Sequence, residues 1–134
     1  MREDQLKTLR AACVRLPPGA AFSGLTAAWL HGLDVEPCNP VEATAPPQAG
    51  ISTRAGMRIR RCKLSKEDVV RARGLPATSV LRTLRDLSLR LSLTEAVVAA
   101  DMALHGGLIA RSDLSRAVVT SVGSQGVRNL RRLF

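Results

Sequence analysis

Aromatic residues are nearly absent from this 134-residue chain, which has two phenylalanines, one tryptophan and no tyrosine. With so few rings, the hydrophobic core has to be built from leucine, valine, isoleucine and alanine. Proteins that bind single-stranded nucleic acid without sequence preference stack the bases on aromatic side chains. No aromatic residue is interleaved with the basic residues here, so a stacking platform for single strands is not expected.

Cysteine is scarce as well, and the spacing of the cysteines argues against a fold held together by disulfides or zinc. Cys13, Cys38 and Cys62 are an odd number of cysteines and include no Cys-x-x-Cys pair. Disulfide frameworks use even sets, and zinc sites use close pairs. We therefore expect reduced thiols, a cytoplasmic location, and neither a metal nor another cofactor.

Long hydrophobic runs are missing. No apolar stretch reaches the roughly 20 residues that a membrane helix needs, and the charged, amphipathic N-terminus does not look like a signal peptide. We expect a protein that does not associate with membranes. Its apolar content of 46% argues against wholesale disorder, and its length suits one domain.

Acidic residues are outnumbered, because 11 Asp and Glu stand against 20 Lys and Arg, for a formal net charge of +9. Such a charge attracts polyanions, and of the possible partners nucleic acid is favoured over anionic membranes and acidic proteins. Most of the basic residues are arginines, whose forked donors suit phosphate and guanine. Two alternatives remain open: a GC-rich genome, or a solvated face that keeps a leucine-rich domain soluble.

Hydrophobic periodicity predicts helices at both ends of the chain and strands in between. Helices are expected at 3–15, 24–32, 79–91, 92–105 and 112–120, with a short basic helix at 127–134; strands are expected at 41–45, 57–63 and 69–73. Ser23, Ser79 and Ser92 are the predicted N-caps, and Glu95 completes a capping box with Ser92.

These elements predict a single α+β domain over residues 1–134, in which a small antiparallel sheet is flanked by N-terminal and C-terminal helices. Residues 1–33 are expected to be helical, 34–77 strand-rich and basic, and 78–134 all-helical.

The sequence motifs of common catalytic sites are missing. Restriction-type nucleases hold Mg²⁺ with an Asp and an Asp/Glu-x-Lys motif, and the chain contains neither Asp-x-Lys nor Glu-x-Lys. His31 and His105 each precede a glycine at a predicted helix end, where the helix dipole favours a structural role. There is no Gly-x-Ser-x-Gly motif. We expect a protein without enzymatic activity.

Several segments nevertheless form a recognisable series. They are SGLTAAWLHGL at 23–33, PVEAT at 40–44, GLPATS at 74–79, RTLRDL at 82–87, EAVVAADMALH at 95–105 and GLIAR at 107–111. Together they resemble the AbiEi-type antitoxin family of toxin–antitoxin systems, over residues 5–132. The same region also occurs upstream of Vsr-like endonuclease domains. Arg82 and Asp86 are characteristic of the family, and their spacing predicts an ion pair on one helix face.

The resemblance implies a non-catalytic, DNA-associated regulator or repressor with double-stranded DNA, and a toxin or nuclease protein, as partners. Family antitoxins usually carry a winged-helix module before this region, and only about twenty residues precede it here. We therefore expect the shared middle or C-terminal domain, with a homodimer as one possible state. The alternatives are a phage- or plasmid-type repressor that reads DNA with helices 93–120, an accessory domain of a Vsr-like endonuclease whose catalytic part is missing, and a protein-interaction module for a toxin.

The candidate DNA-binding residues are basic and fall into three groups: the predicted strands, the 93–120 helices and the C-terminal tail. If the strands at 57–63 and 69–73 pair, their arginines form a basic face on the sheet. Phosphate contacts of this kind give affinity that depends on salt and hardly on sequence. The set is Arg54, Arg58, Arg60, Arg61, Lys63, Arg71, Arg73, Arg111, Arg116, Arg128, Arg131 and Arg132.

Overall fold

The computed structural model describes residues 2–35, 40–48, 53–54 and 56–113. In chain order the elements are α1 (Arg2–Val14), β1 (Ala21–Phe22), α2 (Gly24–Leu30), β2 (Val41–Ala45), β3 (Thr53–Arg54), β4 (Met57–Arg61), a 3₁₀ turn (Lys66–Asp68), β5 (Val69–Ala72), β6 (Leu75–Thr78), α3 (Val80–Arg90) and α4 (Leu93–His105). Within these ranges, no helix is long and apolar enough to span a bilayer. The predicted helices at 112–120 and 127–134 fall almost wholly outside the described residues.

The described strands form one six-stranded sheet in the order β3-β4-β2-β1-β6-β5. β2 and β4 run parallel over their whole length, from Val41 opposite Met57 to Ala45 opposite Arg61. β1 is only two residues long and joins the two halves of the sheet, with Phe22 opposite both Ala43 and Ala77.

The α+β class and the flanking helices are confirmed, but the sheet is mixed and not purely antiparallel. The β1–β6 and β2–β4 pairs are parallel, and the other three pairs are antiparallel. A period of two tells which face a residue occupies but carries no information on strand direction. Parallel partners also need long connections, and here six other elements lie between β1 and β6 in the chain.

Two apolar clusters stabilise the fold, and α2 contributes to both. The first cluster packs α1 against one face of the sheet and includes Leu9, Phe22 and Met57. The second joins the other side of α2 to α3 and α4 through residues such as Ala28 and Leu87. We call the sheet face that carries Phe22 and Met57 the core face, and the opposite one the polar face.

The β5–β6 hairpin turns at Arg73 and Gly74, which both have positive φ, 52° and 80°. Two consecutive residues of positive φ are what a two-residue hairpin turn with the twist of its strands requires. Glycine adopts this conformation freely, whereas Arg73 is held there by its contacts with α2. Its Nε donates to the carbonyl oxygen of Leu30 at 3.2 Å, and its guanidinium lies 5.4 Å from the ring centre of Trp29.

The predicted caps of α3 and α4 are confirmed. Ser79 Oγ accepts the backbone N–H of Arg82 at 3.1 Å, and Ser92 forms a capping box with Glu95. The residue at the start of α2, Ser23, occupies the N-cap position but makes no side-chain capping bond. Its hydroxyl is used in the polar face of the sheet instead.

Replacement of Ser79 by alanine is expected to lower the free energy of unfolding by about 1 kcal/mol, because a helix N–H loses its acceptor. Urea denaturation followed by circular dichroism measures the change. Ser79→Asn keeps an acceptor at the same position and serves as the matched control. A loss of the same size in both variants would show that the hydroxyl is not acting as a cap.

A polar cleft and a basic strand as candidate functional site

The polar face carries charged side chains in register on two neighbouring strands. The parallel pairing of β2 with β4 places Glu42 opposite Arg58 and Thr44 opposite Arg60. Since side chains alternate between the faces of a sheet, these four residues lie on the face away from α1. Glu42 and Thr44 are buried, whereas Arg58 and Arg60 are exposed.

These residues line a cleft of about 420 Å³. The cleft begins where β1 ends, at Ser23 and Gly24, and extends over the polar face to Asp86 of α3. Its walls therefore come from the centre of the sheet, the start of α2 and the middle of α3. The polar side chains that line it are those of Ser23, Glu42, Thr44, Arg58, Arg60 and Asp86.

The floor of the cleft is held by hydrogen bonds between β2 and the start of α2. Glu42 is only 4% exposed, and its Oε1 accepts the backbone N–H of Leu25 at 3.0 Å. The Glu42 backbone N–H donates to the hydroxyl of Thr26 at 3.0 Å. Thr44 Oγ1 donates to Ser23 Oγ at 2.8 Å. These bonds fix the orientation of a carboxylate and two hydroxyls before any ligand arrives.

A buried arginine stands beside the cleft and ties α3 to the chain that follows β4. Arg82 Nε donates to Asp86 Oδ1 at 3.2 Å, which confirms the predicted ion pair. The same guanidinium donates through Nη1 to Asp68 at 3.0 Å and to the carbonyl oxygen of Lys63 at 3.3 Å. Its Nη2 lies 3.1 Å from Cys62 Sγ. One side chain thus fixes the whole segment from Cys62 to Asp68.

Burial on its own lowers the pKa of the Arg82 guanidinium. The attraction of Asp86, its hydrogen bond and the further charge of Asp68 outweigh burial, so that the net effect raises the pKa of Arg82 above its usual value. Arg82 is therefore cationic at any pH at which the protein is studied. Its charge is balanced by the two carboxylates and is not available to an external anion.

Four of the predicted DNA-binding residues lie on β4 or directly after it. Arg58 and Arg60 line the cleft, and Arg61 and Lys63 are exposed beyond it. Lys63 belongs to the stretch that the Arg82 contacts hold in place, whereas Arg58, Arg60 and Arg61 are held by the pairing of β4 with β2. We refer to Arg58, Arg60, Arg61 and Lys63 as the basic strand.

The expected basic face formed by pairing of 57–63 with 69–73 is wrong. β4 pairs with β2 and β3, whereas β5 pairs with β6 alone. Four steps between neighbouring strands separate β4 from β5, about 19 Å at ~4.8 Å per step. Arg71 and Arg73 therefore lie at the far side of the sheet. Arg71 Nη1 donates to the carbonyl oxygen of Gly74 at 3.0 Å, and Arg73 packs on α2 as described above.

The remaining predicted basic residues are scattered or undescribed. Arg54 belongs to the short edge strand β3, opposite Met57. Arg111 is exposed and begins a helical stretch. Arg116, Arg128, Arg131 and Arg132 lie outside the described residues.

The site residues that sequence reasoning missed are the buried ones. Glu42 and Thr44 sit in a strand that was predicted, but nothing in a five-residue strand signals that its polar side chains meet Ser23. In the described part of the chain, no group of three or more His, Cys, Asp or Glu side chains is placed to hold a metal ion. His31 is used structurally, because its Nε2 lies 2.7 Å from the carbonyl oxygen of Thr78.

The family described as the AbiEi antitoxin C-terminal domain matches residues 20–134, which include the cleft and the basic strand. No curated protein matches the chain.

Proposed function

Because the chain belongs to the family of AbiEi antitoxin C-terminal domains, we propose that it is a non-catalytic regulatory domain of a toxin–antitoxin system that contacts double-stranded DNA. The observation that carries the proposal is the basic strand. It presents four exposed cationic side chains within six residues, three on β4, which pairs with β2, and one, Lys63, in the segment fixed by Arg82.

The charge balance around the basic strand favours a polyanion. Two of the nearest acidic side chains, Asp68 and Asp86, share the charge of Arg82, which offsets one of their two negative charges, and Glu42 is buried. The exposed cations are thus left as the dominant charges at this edge of the sheet, in a chain of net charge +9. Lysine and arginine side chains that bind phosphates release counterions, which gives binding that weakens steeply with salt.

The first test is a fluorescence-anisotropy titration with two duplexes, one random and one from the promoter of the gene, at several salt concentrations. The decisive variant is Arg61→Gln/Lys63→Gln, and the control is Lys7→Gln/Arg10→Gln, which removes the same charge from exposed positions of α1. The basic-strand variant is expected to reduce the slope of log affinity against log salt by about 1.8, or ~0.9 per lost phosphate contact. The control is expected to leave the slope unchanged.

An equal reduction of the salt slope in both variants would show that the interaction responds only to net charge. No binding at low salt would refute the proposal and direct the search to a toxin protein. Preference for the promoter duplex would extend the proposal to transcriptional repression. Equal affinity for both duplexes would limit it to a DNA-associated role, since phosphate contacts position a protein without reading sequence.

A further inference from the structure

The cleft differs in kind from an exposed basic surface. It is concave, its floor is a buried carboxylate with two hydrogen-bonded hydroxyls, and only its rim is cationic. The backbone of a DNA duplex cannot descend to Glu42 in a space of about 420 Å³. That volume lies within the roughly 300–1,000 Å³ typical of small-molecule sites.

The rim is suited to a doubly charged anion. Arg58 and Arg60 are two apart on one strand, so that they point to the same face with Cα atoms about 6.6 Å apart. Side chains of this length can reach a single group from that separation, and guanidinium binds phosphate through paired, charge-assisted hydrogen bonds. A phosphate monoester carries between one and two negative charges near neutral pH, which two arginines balance better than they balance a single carboxylate.

The floor of the cleft suits different ligand groups from the rim. Glu42 and Asp86 present carboxylates that already accept bonds from Leu25 and Arg82. A carboxylate has about four acceptor positions, so that one with partners in the protein can also accept from a ligand. A bare phosphate would meet repulsion there, whereas a ligand that carries hydroxyl groups donates to these oxygens and exchanges hydrogen bonds with Ser23 and Thr44.

From rim and floor together, we propose that the cleft binds a phosphate monoester on a hydroxylated sugar, the chemistry shared by sugar phosphates and mononucleotides. The phosphate lies between Arg58 and Arg60, and the sugar hydroxyls lie over Glu42 and the Ser23–Thr44 pair. The lining residues that the structure describes include no aromatic side chain, so the sugar and the phosphate, and not a base, carry the recognition. The site shares Arg58 and Arg60 with the basic strand, whereas its floor plays no part in duplex binding.

Isothermal titration calorimetry of the full chain tests the proposal with three probes: ribose 5-phosphate, adenosine monophosphate and inorganic phosphate. Both ribose-containing probes are expected to bind at least tenfold more tightly than inorganic phosphate. A clear excess for the nucleotide would identify the nucleotide as the source of the shared group, and equal affinity of the two would identify the sugar phosphate. Equal affinity for all three, or no heat with any, overturns the proposal.

Two variants separate rim from floor. Arg58→Gln/Arg60→Gln is expected to weaken all three probes at least tenfold, whereas Glu42→Gln is expected to remove only the advantage of the ribose-containing probes. Lys7→Gln/Arg10→Gln is the charge-matched control on the core side of the sheet and should bind as the unaltered protein does. An equal loss in the control overturns the site.

Wild-type NMR titration tests the same site where a variant fails to fold. Ribose 5-phosphate is expected to shift the amide signals of Gly24, Thr44 and Arg60. Shifts confined to other regions would refute the assignment. Binding of ribose 5-phosphate without binding of a duplex would support the ligand site and refute the DNA proposal. Binding of a duplex without binding of ribose 5-phosphate would support the DNA proposal and refute the ligand site.

Discussion

Replacement of Arg82 by methionine is expected to lower the free energy of unfolding by about 3–5 kcal/mol, because removal of one partner from a buried ion pair leaves the other charge without compensation. Arg82 is 7% exposed and contacts Asp68 and Asp86. Methionine has nearly the helix propensity of arginine, so the change isolates the loss of the guanidinium. Urea denaturation at neutral pH measures it.

Three further variants sharpen the test. Arg85→Met removes the same charge from a less buried position of α3 and should cost no more than ~0.5 kcal/mol. Arg82→Lys keeps the charge but loses the fork that reaches several acceptors, and an intermediate loss is expected. Arg82→Met/Asp86→Leu should cost less than the sum of its single changes, because the more buried carboxylate, Asp86, is then not left without its cation. A loss below ~1 kcal/mol in Arg82→Met would mean that the pair behaves as an exposed one.

The Arg82–Asp86 pair shows how far sequence reasoning reaches in this chain. The spacing of four residues on one face of a predicted helix predicted the pair correctly. The spacing carried no information on the burial of the pair, since nothing local shows that the segment at 62–68 covers the guanidinium. The partners that make Arg82 important, Cys62, Lys63 and Asp68, are 14 to 20 residues away.

The strands show the same division between local and distant information. Alternation predicted β2 at its observed bounds and β4 and β5 to within two residues. It did not predict β1 or β3, because two residues are too few to establish a period, and it did not predict β6, which contains a proline. The sequence pattern also did not predict which strands pair with each other. β4 and β5 are near in sequence, but the two residues of β1 place them on opposite sides of the sheet.

The candidate site was therefore only half predictable. Its cations were identified because exposed arginines at alternate positions of a strand are visible in the sequence. Its acidic and hydroxyl groups were not, because Ser23 and Glu42 meet only through the pairing of β1 with β2. Ser23 had a plausible local role as an N-cap, and the structure uses its hydroxyl to bind Thr44 instead. The family match over 20–134 confirms the resemblance that these scattered motifs indicated.

Phe22→Ala is expected to destabilise the protein by about 3–5 kcal/mol, the usual cost of removing a large side chain from a close-packed core. Phe22 is fully buried and lies on β1, the strand that joins the two halves of the sheet. Its ring packs in the cluster that includes Leu9 and Met57. The loss is measured by urea denaturation, with Val14→Ala as the control. Val14 is 87% exposed, and its truncation should change stability by no more than ~0.5 kcal/mol.

The Phe22 experiment also tests how the core supports the cleft. Phe22 precedes Ser23 directly, and the strand it anchors brings the hydroxyl of Ser23 within 2.8 Å of that of Thr44. A variant that retains more of the ring volume, Phe22→Leu, should stay folded while the two halves of the sheet pack less tightly. If the cleft depends on that alignment, this variant should bind ribose 5-phosphate more weakly even though every cleft residue is unchanged. Unaltered affinity in a measurably destabilised Phe22→Leu protein would show that the hydrogen bonds between β2 and α2 hold the cleft without the core beneath them.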